Sequence, residues 1–309
     1  MSSNEHQLPT FLVIGAGKSG TTSVHQYLRQ NPSVSLPKRK ETHFFVLDQD
    51  GEQAPQLFFG KEHENPVYNL EEYLADFEKP GPGKIMGEVC PSYLFYPNTA
   101  KNIRARIPDA RLICILRNPI DRFYSNFNFL SSKEQQKQGF RMQTSSEDFD
   151  TLTLNLNQPN SVEIDRLLEI GKYSVGLKRY YDVFPKSQIK VFLFDDLLKT
   201  PVKLMNELAE FAGIPPFEYD VSMKFNRSGN LRFFWFYKTF RGSQFAKTMQ
   251  SLLPPLLYQR IRVVSERLAF SNANPMSKKS QARLQQYYRD EINELEKLID
   301  RDLSDWKLG

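Results

Sequence analysis

Residues 11–30 read F-L-V-I-G-A-G-K-S-G-T-T-S-V-H-Q-Y-L-R-Q. Phe11 to Ile14 form a short apolar run of the kind a buried strand needs. Gly15, Gly17 and Gly20 follow with Lys18 among them, and Thr21 to Gln30 can form a helix stopped by Asn31-Pro32. A strand, a glycine turn and a helix start make an anion site. The first N–H groups of a helix have no partner and carry partial positive charge, and glycines let the backbone approach a ligand closely. Lys18 adds a full charge, and the hydroxyls of Ser19, Thr21 and Thr22 add donors. The stretch reads as a phosphate cradle. It is not a Walker A loop, because that pattern requires a glycine five positions before Gly17 and Leu12 stands there.

A second anion site is readable further along. Arg111 to Leu116, R-L-I-C-I-L, is apolar enough to be a central strand of a parallel sheet. R-N-P-I-D-R-F-Y-S follows at once, with Arg117 at the strand's carboxyl end, where open α/β sheets bind ligands. Pro119 suits the first turn of a helix. Ser125 lies eight residues after Arg117, about two helical turns along. An arginine and a serine so placed converge on one phosphate, the arginine through charge-assisted, bidentate bonds. Arg122 is expected to form a structural ion pair.

Between the two anion sites runs K-R-K-E-T-H-F-F, residues 38–45. Glu41 or His43 can take a proton from a substrate hydroxyl. Neighbouring cations keep a carboxylate ionised, whereas an apolar wall such as Phe44-Phe45 raises its pKa. Residues 84–97 read as a buried strand ending at Glu88 and a turn from Pro91; Glu88 reads equally as a site carboxylate or a strand end.

The remaining pattern completes an α/β layout. Leu70–Phe77, Asn98–Ile107 and Ser280–Arg301 read as helices, Ser33–Leu36 as a short strand and Gln188–Phe194 as a buried one. Asp195-Asp196 reads as a helix cap or as a magnesium-binding pair. Residues 131–160 are polar with weak periodicity and read as a lid-like insertion; residues 231–309 read as a helical part of the chain. The expectation is a single α/β domain over 1–309, with a parallel sheet of strands near residues 11, 85, 111 and 188 flanked by helices.

Composition bounds the partners. In 309 residues, 40% are hydrophobic and 25% charged, with a net charge of +5. That favours anionic small molecules but supplies no basic stripe for nucleic acid. Cys90 and Cys114 lie in apolar contexts and read as free buried thiols. The first ten residues lack the basic and apolar regions of a signal peptide, and no apolar run reaches eighteen residues. A soluble, cytoplasmic protein without a membrane anchor is expected, of open oligomeric state.

The order G-x-G-K-S-G-T-T resembles the 5′-phosphosulfate loop of sulfotransferases that use 3′-phosphoadenylyl sulfate (PAPS). R-N-P-x-x-R-x-x-S resembles that family's 3′-phosphate motif, K-E-T-H-F-F its K-E-x-H-F-F segment in heparan-type members, and the closing D-L-S-D-W the end of bacterial members. The resemblance implies the sulfotransferase fold with its P-loop-like sheet. It implies PAPS as donor without a metal, held by Lys18, Ser19, Gly20, Thr21, Thr22 and Ser23 at one end. Arg117, Ser125, Arg227 and Ser228 hold the other. It implies Lys18, Glu41 and His43 as catalytic residues, Glu41 first as base. The acceptor is a hydroxyl on a carbohydrate or other small molecule; Val89, where several heparan-type members carry an acceptor-binding lysine, speaks against a heparan-like one. The tyrosine-bearing helix near 173–181 lines the adenine pocket in the family. The rival readings are a small-molecule kinase and a non-catalytic nucleotide-binding module.

Overall fold

The computed structural model describes residues 8–46, 67, 69–77, 83–138, 146–156, 162–222, 229–231, 270–272 and 275–307. In chain order, β1 (Phe11–Gly15) leads into α1 (Thr21–Leu28), β2 (Val34–Ser35), α2 (Leu70–Ala75) and β3 (Ile85–Val89). Then come α3 (Thr99–Arg106), β4 (Arg111–Leu116), α4 (Pro119–Gln138), α5 (Ser146–Leu152), α6 (Val162–Glu169) and α7 (Tyr173–Tyr181). The last elements are β5 (Ile189–Leu193), α8 (Phe194–Lys199), α9 (Pro201–Ala212), β6 (Gly229–Leu231), β7 (Phe270–Asn272), α10 (Lys278–Ile299) and α11 (Ser304–Lys307).

Five strands form one parallel sheet in the order β2-β3-β1-β4-β5. The two-residue β2 joins as an edge strand, so the sheet has one strand more than the four long apolar runs announce. From β1 the chain first builds towards β2, then crosses to β4 and β5 on the other side. The strand order therefore reverses between β1 and β4, which places a crevice at their carboxyl ends.

The central strands are buried on both faces, and their side chains alternate between two cores. Leu12, Ile14, Leu112, Cys114 and Leu116 face one cluster with Phe123, Tyr173, Tyr180, Leu284 and Tyr288. Phe11, Val13, Ile113 and Ile115 face the other, with Val24, Leu28, Leu204 and Leu208. A period of two in residues that are all apolar is what a sheet covered by helices on both sides demands. Both cysteines are free and buried, and burial raises both thiol pKa values.

Two expectations change here, and one open alternative is decided. The polar stretch 131–160 carries helix where it is described: α4 runs on to Gln138, and α5 follows. Phe149 and Thr153 are buried in it, and Asp150 accepts hydrogen bonds from Ser277 and Ser280 at the start of α10. Arg122 has no carboxylate partner among the described residues. Its guanidinium is wholly buried and donates to the Leu167 carbonyl. Asp196 is a helix cap: Leu193 N donates to its Oδ2 at 3.1 Å, and Arg301 pairs with it at 3.2 Å. No described helix is long and apolar enough to cross a membrane.

Candidate active site

The loop from Gly15 to Gly20 continues β1 towards the sheet's carboxyl edge. Ala16 N donates to Ile115 O at 2.8 Å, so the loop stays tied to β4 as it turns. Gly20 caps α1 at φ 82°, a left-handed conformation that glycine adopts without cost. A β-carbon there would stand 2.5 Å from Leu197 Cδ2 and 3.0 Å from Phe194 Cε2, so the missing side chain also lets α8 close on the loop. Thr21 and Ser23 are buried in the first turn of α1 and Thr22 is half-buried; Ser23 hydrogen-bonds with the Tyr27 hydroxyl. Ser19 is wholly buried, and its hydroxyl has no hydrogen-bond partner among the described residues.

Arg117 follows β4 directly and reaches across to this loop. Its Nη1 donates to the Lys18 carbonyl at 3.3 Å, and its guanidinium lies 5.0 Å from the Phe194 ring. Its own carbonyl accepts from the Tyr173 hydroxyl at 2.9 Å. Burial lowers its pKa, while the charges of Asp121 and Asp195 pull the other way. Ser125, in the second turn of α4, is buried. The two anion motifs, about a hundred residues apart in sequence, thus meet at the ends of neighbouring strands. Tyr173 fixes the backbone of Arg117, and Tyr180 donates to the Tyr93 carbonyl from within the core. Arg227 and Ser228 lie outside the described residues.

The segment holding Glu41 and His43 is tied down from below by Glu88. This carboxylate is buried, at 1% exposure, at the end of β3. It accepts from Thr42 Oγ1 at 2.6 Å, Thr42 N at 3.2 Å, Tyr73 OH at 2.8 Å and Tyr93 OH at 3.0 Å. Burial raises its pKa and the hydrogen bonds from Thr42, Tyr73 and Tyr93 oppose the rise. Glu88 stands at the end of its strand, as one of its two readings had it, and in addition forms a hub that pins Thr42, which neither reading included. Thr42 in turn sets its neighbours: Glu41 has φ 76° and His43 φ 57°. Four non-glycine residues have positive φ among the described residues, namely Lys18, Glu41, His43 and Asp300. Three of the four are the residues singled out for chemistry. Such conformations persist only where surroundings enforce them, and they gather at functional sites.

Glu41 is paired with Lys40, and its side chain is 29% exposed. His43 is buried, at 2% exposure, with Nδ1 2.9 Å from Ser92 Oγ and 3.7 Å from Cys90 Sγ. Phe44 and Phe45 pack on Tyr73, Phe44 stacked at 4.3 Å and Phe45 edge-on at 5.6 Å, so their rings serve the core. The Glu88 hub could not be found from spacing, since its donors stand 5, 15 and 46 residues away. One signal was present: a carboxylate ending an apolar strand requires several donors if it is to be buried.

A model of the sulfotransferase family matches residues 9–219, from β1 to just past α9. The chain belongs to the sulfotransferase family. A bifunctional heparan sulfate N-deacetylase/N-sulfotransferase 1 of Caenorhabditis briggsae is 29% identical over 232 residues, covering 74% of the chain and 25% of that relative. Carbohydrate sulfotransferase 15 of Mus musculus is 26% identical over 253 residues, covering 68% and 44%. The chain thus spans a quarter to under half of the length of these curated relatives. A sulfotransferase from Alicyclobacillus acidocaldarius has a crystal structure that superimposes with a TM-score of 0.68 at 26% identity, over 97% of this chain and 99% of that one. The sulfotransferase fold, with its five-stranded parallel sheet flanked by helices, is therefore present here.

Proposed function

We propose that the protein transfers the sulfuryl group of PAPS to an acceptor hydroxyl on a carbohydrate or other small molecule. The observation that carries this reading is the bond from Arg117 Nη1 to the Lys18 carbonyl, which unites the two anion motifs in the crevice between β1 and β4. Two features of the loop fit an anionic nucleotide. The Ser19 hydroxyl is a buried donor with no hydrogen-bond partner among the described residues. The left-handed Gly20 opens α1 directly after the loop, and a helix start carries partial positive charge. Bound PAPS would supply an activated sulfuryl group on a good phosphate leaving group.

The chain's own residues then divide the work. The start of α1, Lys18, Ser19, Thr21 and Thr22 hold the 5′ end, and Arg117 and Ser125 hold the 3′-phosphate, with Arg227 and Ser228 expected beside them. Lys18 stabilises the negative charge that develops on the leaving oxygen; losing one such donor raises a barrier by ~3–4 kcal/mol. Glu41 takes the acceptor proton, because its carboxylate is partly exposed whereas His43 is buried. His43 and Ser92 back the segment that carries it. A general base contributes about 10²–10⁴-fold.

The test is PAPS turnover with a panel of hydroxyl acceptors, read as release of adenosine 3′,5′-bisphosphate (PAP). Glu41→Gln should bind PAP like the wild type and turn over at least about 100-fold more slowly, whereas Lys18→Ala should lose both. Wild-type turnover in Glu41→Gln sinks the assignment of the base. Thermal stabilisation by ATP-magnesium but not by PAP sinks the sulfuryl reading in favour of a kinase.

A further inference from the structure

The aromatic residues of α4 fall into two groups. Phe123, Tyr124 and Phe127 gather round Phe149, with ring centroids 5.7, 4.7 and 4.9 Å away. Phe129 lies further along the helix and meets a cation. It is 38% exposed, and the Lys18 ammonium lies 4.1 Å from its ring centroid. Phe129 is four residues after Ser125, hence on the same face of α4 and one turn further out. Its ring therefore borders the crevice beside the one cation that the phosphate loop contributes.

We propose that Phe129 is the positioning residue for Lys18: its ring holds the ammonium at the mouth of the loop before donor binding and yields it to the donor when that arrives. This rests on the donor reading above. A lysine side chain is long and has much rotamer freedom to lose when it is held in place. Arg117, bonded to the Lys18 carbonyl, adds a like charge nearby. A carboxylate could hold the ammonium, but would compete with the donor's phosphate and repel it. An aromatic face attracts a cation through its quadrupole without bringing a net charge. It thus keeps the lysine near its working place and releases it to a stronger anion. An exposed cation–π contact is worth about 2–5-fold in an equilibrium, converted from ~0.5–1 kcal/mol.

The experiment uses the full chain with its lysines reductively ¹³C-dimethylated, which preserves their charge, and reads the methyl signals by NMR. The Lys18 signal is assigned by its absence in Lys18→Arg. It should be ring-current shifted in the wild type and in Phe129→Tyr, unshifted in Phe129→Leu, and should move on adding PAP. With PAPS, Phe129→Leu should turn over about 2–5-fold more slowly and Phe129→Tyr should restore the rate, with PAP affinity changed less than fivefold in both. An identical Lys18 signal in wild type and Phe129→Leu overturns the proposal, as does an unmoved signal when PAP demonstrably binds. If PAP does not bind the wild type, the donor reading and the hand-over fail together, while the Phe129→Leu comparison still decides the resting contact.

Discussion

His25 makes the protein's response to acid calculable. It lies on α1, one turn after Thr21, at 3% exposure, and neither ring nitrogen has a hydrogen-bond partner among the described residues. Burial, with the nearby charges of Lys40 and Arg29, lowers its pKa from 6.5 to about 3. Protonation is thus easier in the unfolded chain. The stability this group contributes is present in full above about pH 6.5 and is lost as pH falls from there towards 3. At pH 5 an unfolded imidazole is almost wholly protonated and the native one almost wholly neutral. The difference amounts to about 2 kcal/mol, with a ceiling near 5 kcal/mol in stronger acid. His25→Leu removes the titration at similar volume and leaves no hydrogen bond broken, so at pH 7.5 it should lie within about 1.5 kcal/mol of the wild type. Urea unfolding at pH 7.5 and pH 5 gives the comparison, and titrations elsewhere cancel between the proteins. The wild type should lose about 2 kcal/mol more than His25→Leu over that interval. Equal losses, or a His25 NMR titration near 6.5, would refute the reasoning.

Glu88→Gln leaves one acceptor oxygen where two now serve Thr42, Tyr73 and Tyr93, at a cost of about 1–3 kcal/mol. Because burial raises the Glu88 pKa, its own contribution is greatest below the ordinary carboxylate range and falls as pH rises. The wild type's advantage over the variant should therefore narrow with rising pH in urea unfolding, and a constant gap would contradict this. Gly20→Ala forces a β-carbon into the left-handed region at the loop, costing about 1–2 kcal/mol. It should lower both the melting temperature and PAP affinity by calorimetry; an unchanged affinity would mean that the loop is not the cradle.

The parts of this molecule that proved legible are those in which one short stretch carries its own chemistry. The strand–glycine–helix unit at residues 11–28 and the strand end at Arg117 each announce their element within a few residues. Long apolar runs likewise betray β4 and β5, because a strand covered on both faces needs no contribution from distant residues to be recognised. What stayed hidden depends on contacts remote in sequence. β2 reads as a short strand at 33–36, but its place at the sheet edge beside β3 does not show in the sequence. Arg122 looks like half of an ion pair, yet its guanidinium is met by a backbone carbonyl that α6 delivers. Polar residues 146–156 become ordered helix because Phe149 and Asp150 find partners on α4 and α10. The Glu88 hub and the resting place of Lys18 on Phe129 belong to the same class, since each joins residues that only the folded sheet brings together.

The central claim is that the Lys18 loop and Arg117 grip one nucleotide. Calorimetric titration of PAP into wild type, Lys18→Ala, Arg117→Ala and the double variant tests it most directly. One site per chain is expected, with each single variant weakening binding at least about tenfold, as for a lost charge-assisted contact. The double variant should show the two losses to be non-additive, as for residues sharing a ligand. Binding of wild-type strength in Arg117→Ala would contradict the account.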